Sequence, residues 1–297
     1  MTGAAEVVPG VRRLTAPNPS PMTGEGTQSY LVGEGDLVVV DPGPDDAGHL
    51  GRVVDAGGGR IRYVVVTHAH DDHAPGARAL ARLTGALVLG PPARGTYAPD
   101  AVLADADVVA VPGWRLTALH TPGHAADHLS YLLDSEREDS RLVEGDHHAR
   151  REGTAVESAG PRLLFSGDHL LGGTSTVVAP PEGDMAAYLA SLERLLRLDP
   201  GIDAVAPGHG PLLADARAVI VAQLAHRAER ERQVVAALGR SPHATAAGLA
   251  TTVYGHLDPG LVPAARLQVW AHLRKLATEG RARSTDPDDP GGSWDTV

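Results

Sequence analysis

The chain has no cysteine. Disulfides, thiolate metal ligands and a cysteine nucleophile are therefore excluded, and the redox compartment cannot be read from cysteine usage. Aromatic residues are scarce as well, at 3% of the sequence, with one Phe and three Trp. Stacking platforms for single-stranded nucleic acid are correspondingly few. No uninterrupted apolar run approaches the roughly 18 residues that a membrane helix needs. The N-terminus lacks a basic cluster followed by an apolar stretch, so no secretory signal is expected, and a cytoplasmic protein is the default expectation. Lysine is nearly missing too: Lys275 is the one lysine among 26 basic residues. That skew reflects genomic base composition rather than function.

What is present is enough chain, 297 residues, to bury a sizeable core in one large domain or a large one plus a small one. The net charge of −11 is unevenly spread. Basic residues concentrate in 217–283, while Asp286, Asp288, Asp289 and Asp295 make the tail acidic. An acidic body disfavours polyanions at long range. The basic segment either offsets this locally or is a solvated helix face.

Apolar runs flank Gly33-Glu34-Gly35 as in a hairpin, and further strands are expected at 62–67, 86–89, 108–111, 115–120, 129–133 and 204–206. Helices are expected near 47–56, 77–83 and 186–198, then at 217–238, 245–254 and 261–279. Residues 134–162 carry a charge run and read as a surface insertion. Within it, Asp146-His147-His148 reads as a solvated loop or an extra metal pair. Residues 284–297, rich in Asp, Pro and Gly, are expected to be disordered.

The densest chemistry lies in Thr67-His68-Ala69-His70-Asp71-Asp72-His73, directly after the apolar run Tyr63-Val64-Val65-Val66. On extended backbone, residues two apart point to the same side. His68 and His70 can thus converge on one ion, while Asp72 and His73, past the bend, face a second. Imidazole and carboxylate donors suit zinc, with iron or manganese as alternatives. Three further candidates follow at strand ends. They are His124 after Thr121-Pro122-Gly123, Asp168 after Phe165-Ser166-Gly167, and His209 after Pro207-Gly208. Each sits beside Gly or Pro, where the chain can turn sharply toward an ion.

These motifs, in this order, resemble those of the metallo-β-lactamase-fold hydrolases, and the similarity runs over roughly residues 10–280. The resemblance implies an α/β fold: an αββα sandwich followed by a small helical, winged-helix-like domain. The corresponding divisions are 1–213 (catalytic, with the insertion), 214–283 (winged-helix-like) and the tail 284–297. More narrowly, Leu14-Thr15-Ala16-Pro17-Asn18-Pro19-Ser20, Asp41-Pro42-Gly43 and the C-terminal helices are similar to the beta-lactamase-like protein 2 branch, which includes an endoribonuclease and fungal thioesterases. Carried over residue by residue, His68, His70 and His124 would hold a first zinc. Asp72, His73 and His209 would hold a second, and Asp168 would bridge them.

The implied chemistry is attack by a metal-bridging hydroxide on a carbonyl or phosphorus centre, with Asp72 as the catalytic carboxylate that orients it. Asp41 is either a turn residue or a carboxylate that orients a metal-binding imidazole. His128 and His169 are either structural histidines or proton donors. Three functions stay open: hydrolysis of a small or carrier-bound ester or thioester, endonucleolytic cleavage of RNA by the same metal pair, and oxygen chemistry at a single iron as in sulfur dioxygenases of this fold. Neither a membrane partner nor an oligomeric state is indicated.

Overall fold

In the computed structural model, which describes residues 3–135 and 161–297, two β-sheets face each other and helices cover their outer sides. The first sheet holds seven strands in sequence order: β1 (Ala5–Val8), β2 (Val11–Thr15), β3 (Gln28–Val32), β4 (Leu37–Val40), β5 (Ile61–Val65), β6 (Leu87–Gly90) and β7 (Ala101–Val102). Pairing is antiparallel from β1 to β4 and parallel from β4 to β7. The crossovers from β4 to β5 and from β5 to β6 contain α1 (Ala47–Gly57) and α2 (Gly76–Thr84), the usual form of a parallel connection. The second sheet runs in the order β12-β11-β10-β9-β8. Its strands are β8 (Val108–Val111), β9 (Trp114–His120), β10 (Leu129–Ser135), β11 (Leu163–Gly167) and β12 (Ala204–Pro207). Between the last two lies α3 (Met185–Leu196), and β11 and β12 are parallel.

Every residue of β3, β4, β11 and β12 is buried. Unbroken apolar strands of this kind mark sheets covered on both faces. Between the sheets, Val32, Val40, Val65, Leu116, Tyr131 and Phe165 form the inner core. Outside the first sheet, Leu50, Val53, Ala77 and Leu80 of α1 and α2 pack on Val39, Val64 and Val88. Side-chain caps start the helices where the sequence offers them. Asp46 accepts from the His49 amide at 2.7 Å, and Asp184 from the Ala187 amide at 2.7 Å.

The C-terminal part consists of α4 (Ala216–Leu238), β13 (Ala244–Thr245), α5 (Ala246–Tyr254), α6 (Val262–Thr278), β14 (Ala282–Ser284) and β15 (Ser293–Thr296). The 23-residue α4 joins both parts. Its start packs with α3 through Ala216 and Ile220, and its end with α5 and α6 through Val234 and Leu238.

One expectation is corrected. Residues 284–297 are not disordered: β15 pairs with both β13 and β14, and Trp294 is wholly buried. The Asp, Pro and Gly residues between β14 and β15 build turns, in which Asp286 and Asp289 accept from the amides of Asp288 and Gly291. The insertion expected at 134–162 is flanked by paired strands, with Leu133 opposite Leu163. Asp146-His147-His148 lies outside the described residues. Among those, no helix is long and apolar enough to cross a membrane.

Candidate metal centre

The C-terminal ends of β5, β9, β11 and β12 point the same way, and the loops leaving them deliver the polar residues. After β5, a turn closed by the amides of His73 and Ala74, both donating to the His70 carbonyl, folds residues 67–74 back on themselves. Asp168 follows β11 directly and His209 lies just beyond β12. The Gly208 amide donates to the Gly167 carbonyl at 2.8 Å, holding those two ends together. A side chain at Gly208 would not fit: its Cβ would stand 2.6 Å from His73 Cε1 and 2.8 Å from Asp168 Oδ1.

All seven predicted residues are brought together. One donor atom each from His68, His70 and His124 lie within 4.8 Å of one another, and the same holds for Asp72, His73, Asp168 and His209. The two groups adjoin. Asp168 Oδ1 lies 3.2 Å from His73 Nε2 and 3.3 Å from His209 Nε2, while its Oδ2 is 3.8 Å from His124 Nε2. His70 Nδ1 and His124 Nε2 are 3.0 Å apart, and Asp72 Oδ2 is 3.1 Å from His209 Nε2.

Each imidazole also has its other nitrogen engaged away from the cluster. Thr67 Oγ1 donates to Asp41 Oδ2 at 2.8 Å and so accepts from His68 Nδ1 at 3.0 Å. His73 Nδ1 donates to Asp41 Oδ2 at 2.9 Å. His124 Nδ1 donates to the Val177 carbonyl at 2.7 Å, His209 Nδ1 to the Gly26 carbonyl at 3.4 Å, and His70 Nε2 to Glu182 at 3.2 Å. Outward N–H groups fix the tautomers and turn bare nitrogens inward, as metal-binding histidines require. Inside the cluster, His68 Nε2, His73 Nε2 and Asp168 Oδ1 are buried without a hydrogen-bond partner. Orphaned, converging acceptors are costly unless a cation lies between them. The donor set therefore fits divalent metal.

The local charges agree. Burial holds His68 and His124 below the ordinary imidazole range, leaving them neutral. Burial also opposes charge on His73 and His209, but the surrounding carboxylates outweigh it. Asp72, Asp168 and Asp41 raise His73 well above its usual value, and the neighbouring Asp168 and Asp72 carboxylates raise His209 to about 9. Burial would push the Asp168 carboxyl up, yet His73 and His209 hold it well below the usual range. Surroundings that draw protons onto two buried imidazoles favour a cation.

Asp41 is resolved by its bonds. Besides the two side-chain donors, it accepts from the Thr67 amide at 2.8 Å, and it is 2% exposed. One carboxylate thereby orients His68 and His73. Asp41→Asn, which keeps the shape but loses the charge, is expected to weaken metal affinity about 10–100-fold, read by competition with a chromophoric chelator. Unchanged affinity would reduce Asp41 to a turn residue.

His128 and His169 are fully buried and do not line the cleft described next. Burial pushes His169 down to about 3, so it stays neutral.

Sequence reasoning missed the surroundings. A cleft of about 310 Å³ opens on Asp72, His124, Asp168 and His209, and its far wall comes from α4, α5, α6 and the segment between the last two. Leu257, Leu261, Ala264 and Ala265 make that wall apolar, while Arg227, Arg230 and Gln268 add polar groups. Arg227 and Gln268 both donate to the Thr176 carbonyl, at 2.5 and 2.6 Å, fixing α4 and α6 to the segment after Asp168. Glu182 was also missed. It bonds His70 and pairs with Arg94, whose Nη2 donates to it at 2.8 Å. These residues lie in no local motif.

Comparison with known proteins agrees with this geometry. The profile of the "Metallo-beta-lactamase superfamily" matches residues 22–209, and that of the "Beta-lactamase associated winged helix domain" matches residues 245–294. The "Beta-lactamase-like protein 2 homolog" of Drosophila melanogaster is 29% identical over 313 residues, covering 95% of each chain. The "Atrochrysone carboxyl ACP thioesterase" of Aspergillus chevalieri is 32% identical over 243 residues, covering 79% of this chain and 68% of that one. A crystal structure of a beta-lactamase domain protein from Burkholderia ambifaria superposes with a TM-score of 0.77 at 22% identity, over 99% of this chain and 93% of that one. With its His and Asp cluster seated where these loops converge, the chain belongs to the metallo-beta-lactamase superfamily and is a metal-dependent hydrolase with a C-terminal winged helix domain.

Proposed function

We infer that the protein is a dinuclear zinc hydrolase of esters or thioesters, with an acyl group that is small or carried on an acyl carrier protein. One observation carries this reading: the apolar cleft from α5 and α6 opens directly onto the two ligand clusters. An acyl chain can bury apolar surface there while its carbonyl reaches Asp72 and His124. The thioesterase name of the Aspergillus relative points to the same bond.

His68, His70 and His124 would hold one ion, Asp72, His73 and His209 the other, with Asp168 shared. Such a pair, when bound, supplies a water activated at neutral pH and a Lewis acid for the carbonyl oxygen. The chain's own residues do the rest. Asp72 is partly exposed at the cleft floor, where its carboxylate can accept a hydrogen bond from the attacking water and orient it. Asp41 and Thr67 hold the outer nitrogens of His68 and His73 and so aim their Nε2 atoms at the ions. Leu257 and Leu261 offer apolar surface to the acyl side of the cleft.

An RNA substrate is less well served. The chain is acidic overall and poor in aromatics, and the one aromatic residue among the described residues that line the cleft is Tyr254, against which Arg230 already stacks. The zinc-loaded protein, assayed in parallel on thioester, lactone and single-stranded RNA panels, is expected to cleave the thioesters. It should lose that activity with a chelator and regain it with zinc. Cleavage of RNA alone, or one bound iron without hydrolysis, would overturn the reading.

A further inference from the structure

Arg227 is a charged side chain that the hydrolase reading does not use. It is 1% exposed and lines the cleft, and its Nε has no hydrogen-bond partner. One guanidinium nitrogen donates to the Thr176 carbonyl, and the group lies 5.2 Å from the Tyr188 ring centroid. Arg230, one turn further along α4, lines the same cleft. It donates to Gln233 at 2.7 Å and to the Val253 carbonyl at 3.2 Å, and stacks 4.2 Å from the Tyr254 ring centroid. Its Nε is likewise buried and unpartnered.

Among the described residues, neither arginine forms an ion pair with a carboxylate. The carboxylates that line the cleft are Asp72 and Asp168, and both are committed to the histidine cluster. Buried cations are normally paired, because removing a charge from water is costly. Stacking on Tyr188 and Tyr254 and the three bonds to neutral oxygens offset some of that cost but leave both Nε–H groups without a partner. Two adjacent forks with free N–H groups, on the far side of a cleft from a hydrolytic centre, form a receptor for an oxyanion.

We propose that the cleft binds a substrate bearing a second, anionic group, separated from the scissile carbonyl by an apolar spacer, with Arg227 and Arg230 as its counter-charges. The spacer lies on Val177, Leu257, Leu261 and Ala265, and Gln268 Oε1, also buried and unpartnered, accepts from a hydroxyl or amide beside the anion. The substrate class is therefore an acyl ester or thioester with an oxyanion at a distance. Its source is either a carboxylate on the acyl group or a phosphate on the arm that carries it. This rests on the hydrolase reading for the position of the scissile bond, but the arginine site can be tested without turnover.

Binding to the metal-loaded protein is measured by calorimetry for two matched sets of probes. The first pairs adipate, suberate and sebacate with hexanoate, octanoate and decanoate, so that any carboxylate seated at the metals is common to both members. The second pairs phosphopantetheine with pantetheine. At least one pair is expected to show about tenfold tighter binding of the member with the extra anion. That ratio should collapse toward unity in Arg230→Gln and in Arg227→Gln, both checked for an unchanged melting profile. A collapse in the first set assigns the anion to the acyl group, and in the second to the carrier arm. If Arg227→Gln fails to fold because the Thr176 contact is lost, Arg230→Gln still decides. Ratios near unity in both sets, or ratios that survive Arg230→Gln, overturn the proposal. Failure of the hydrolase reading would appear separately, as absent turnover on the thioester panel with the binding ratios intact.

Discussion

Asp168→Asn is expected to lower hydrolytic turnover by at least about 10²-fold and to reduce the metal bound per chain. The substitution preserves side-chain volume, so packing around β11 has little reason to change. Its consequence is electrostatic. The two oxygens of Asp168 face both clusters, with His73 and His209 on one side and His124 on the other. An amide there removes a negative charge that two imidazoles otherwise share. It also aims N–H groups at the Nε2 atoms of His73 and His124, whose Nδ1 atoms are held by Asp41 and the Val177 carbonyl. Turnover and elemental analysis of the same preparation check the result. A variant that kept full metal content and more than a tenth of the activity would remove Asp168 from the shared position.

Trp294→Ala is expected to destabilise the protein by about 3–5 kcal/mol, the usual cost of deleting a fully buried large aromatic. Trp294 is 0% exposed and belongs to the same core cluster as Val234, Leu238, Leu249, Val269 and Leu273, residues of α4, α5 and α6. Native domains keep only about 5–15 kcal/mol in reserve, so the loss is a large share. Chemical denaturation of the variant against the parent measures it. A change below about 1 kcal/mol would mean that the tail contributes no core.

Trp294 also shows why the tail was misjudged. Composition over 284–297 is dominated by Asp, Pro and Gly, and its strand, Ser293–Thr296, is too short for alternation to register. What orders it is pairing with β13 and β14, which no local pattern displays. The His and Asp motif is the opposite case. His68, His70, Asp72 and His73 lie within six consecutive residues, and Gly123, Gly167 and Gly208 immediately precede His124, Asp168 and His209. Donor type, spacing and turn chemistry are all local there, and the structure assembles every one of those residues. The main helices were legible for a similar reason, through apolar spacing and caps. The cleft was not. Met22, Val177, Arg227 and Leu261 are far apart in sequence, and each alone looks like an ordinary surface or core residue.

That separation in sequence has an evolutionary corollary. The clustered His and Asp side chains hang from strand ends of the sandwich, whereas the far wall of the cleft is carried on α4, α5, α6 and the segment joining the last two. Drift in those helices can retailor molecular preference while leaving the reactive centre intact. Descendants of one ancestor could thus diverge in diet without relearning their chemistry.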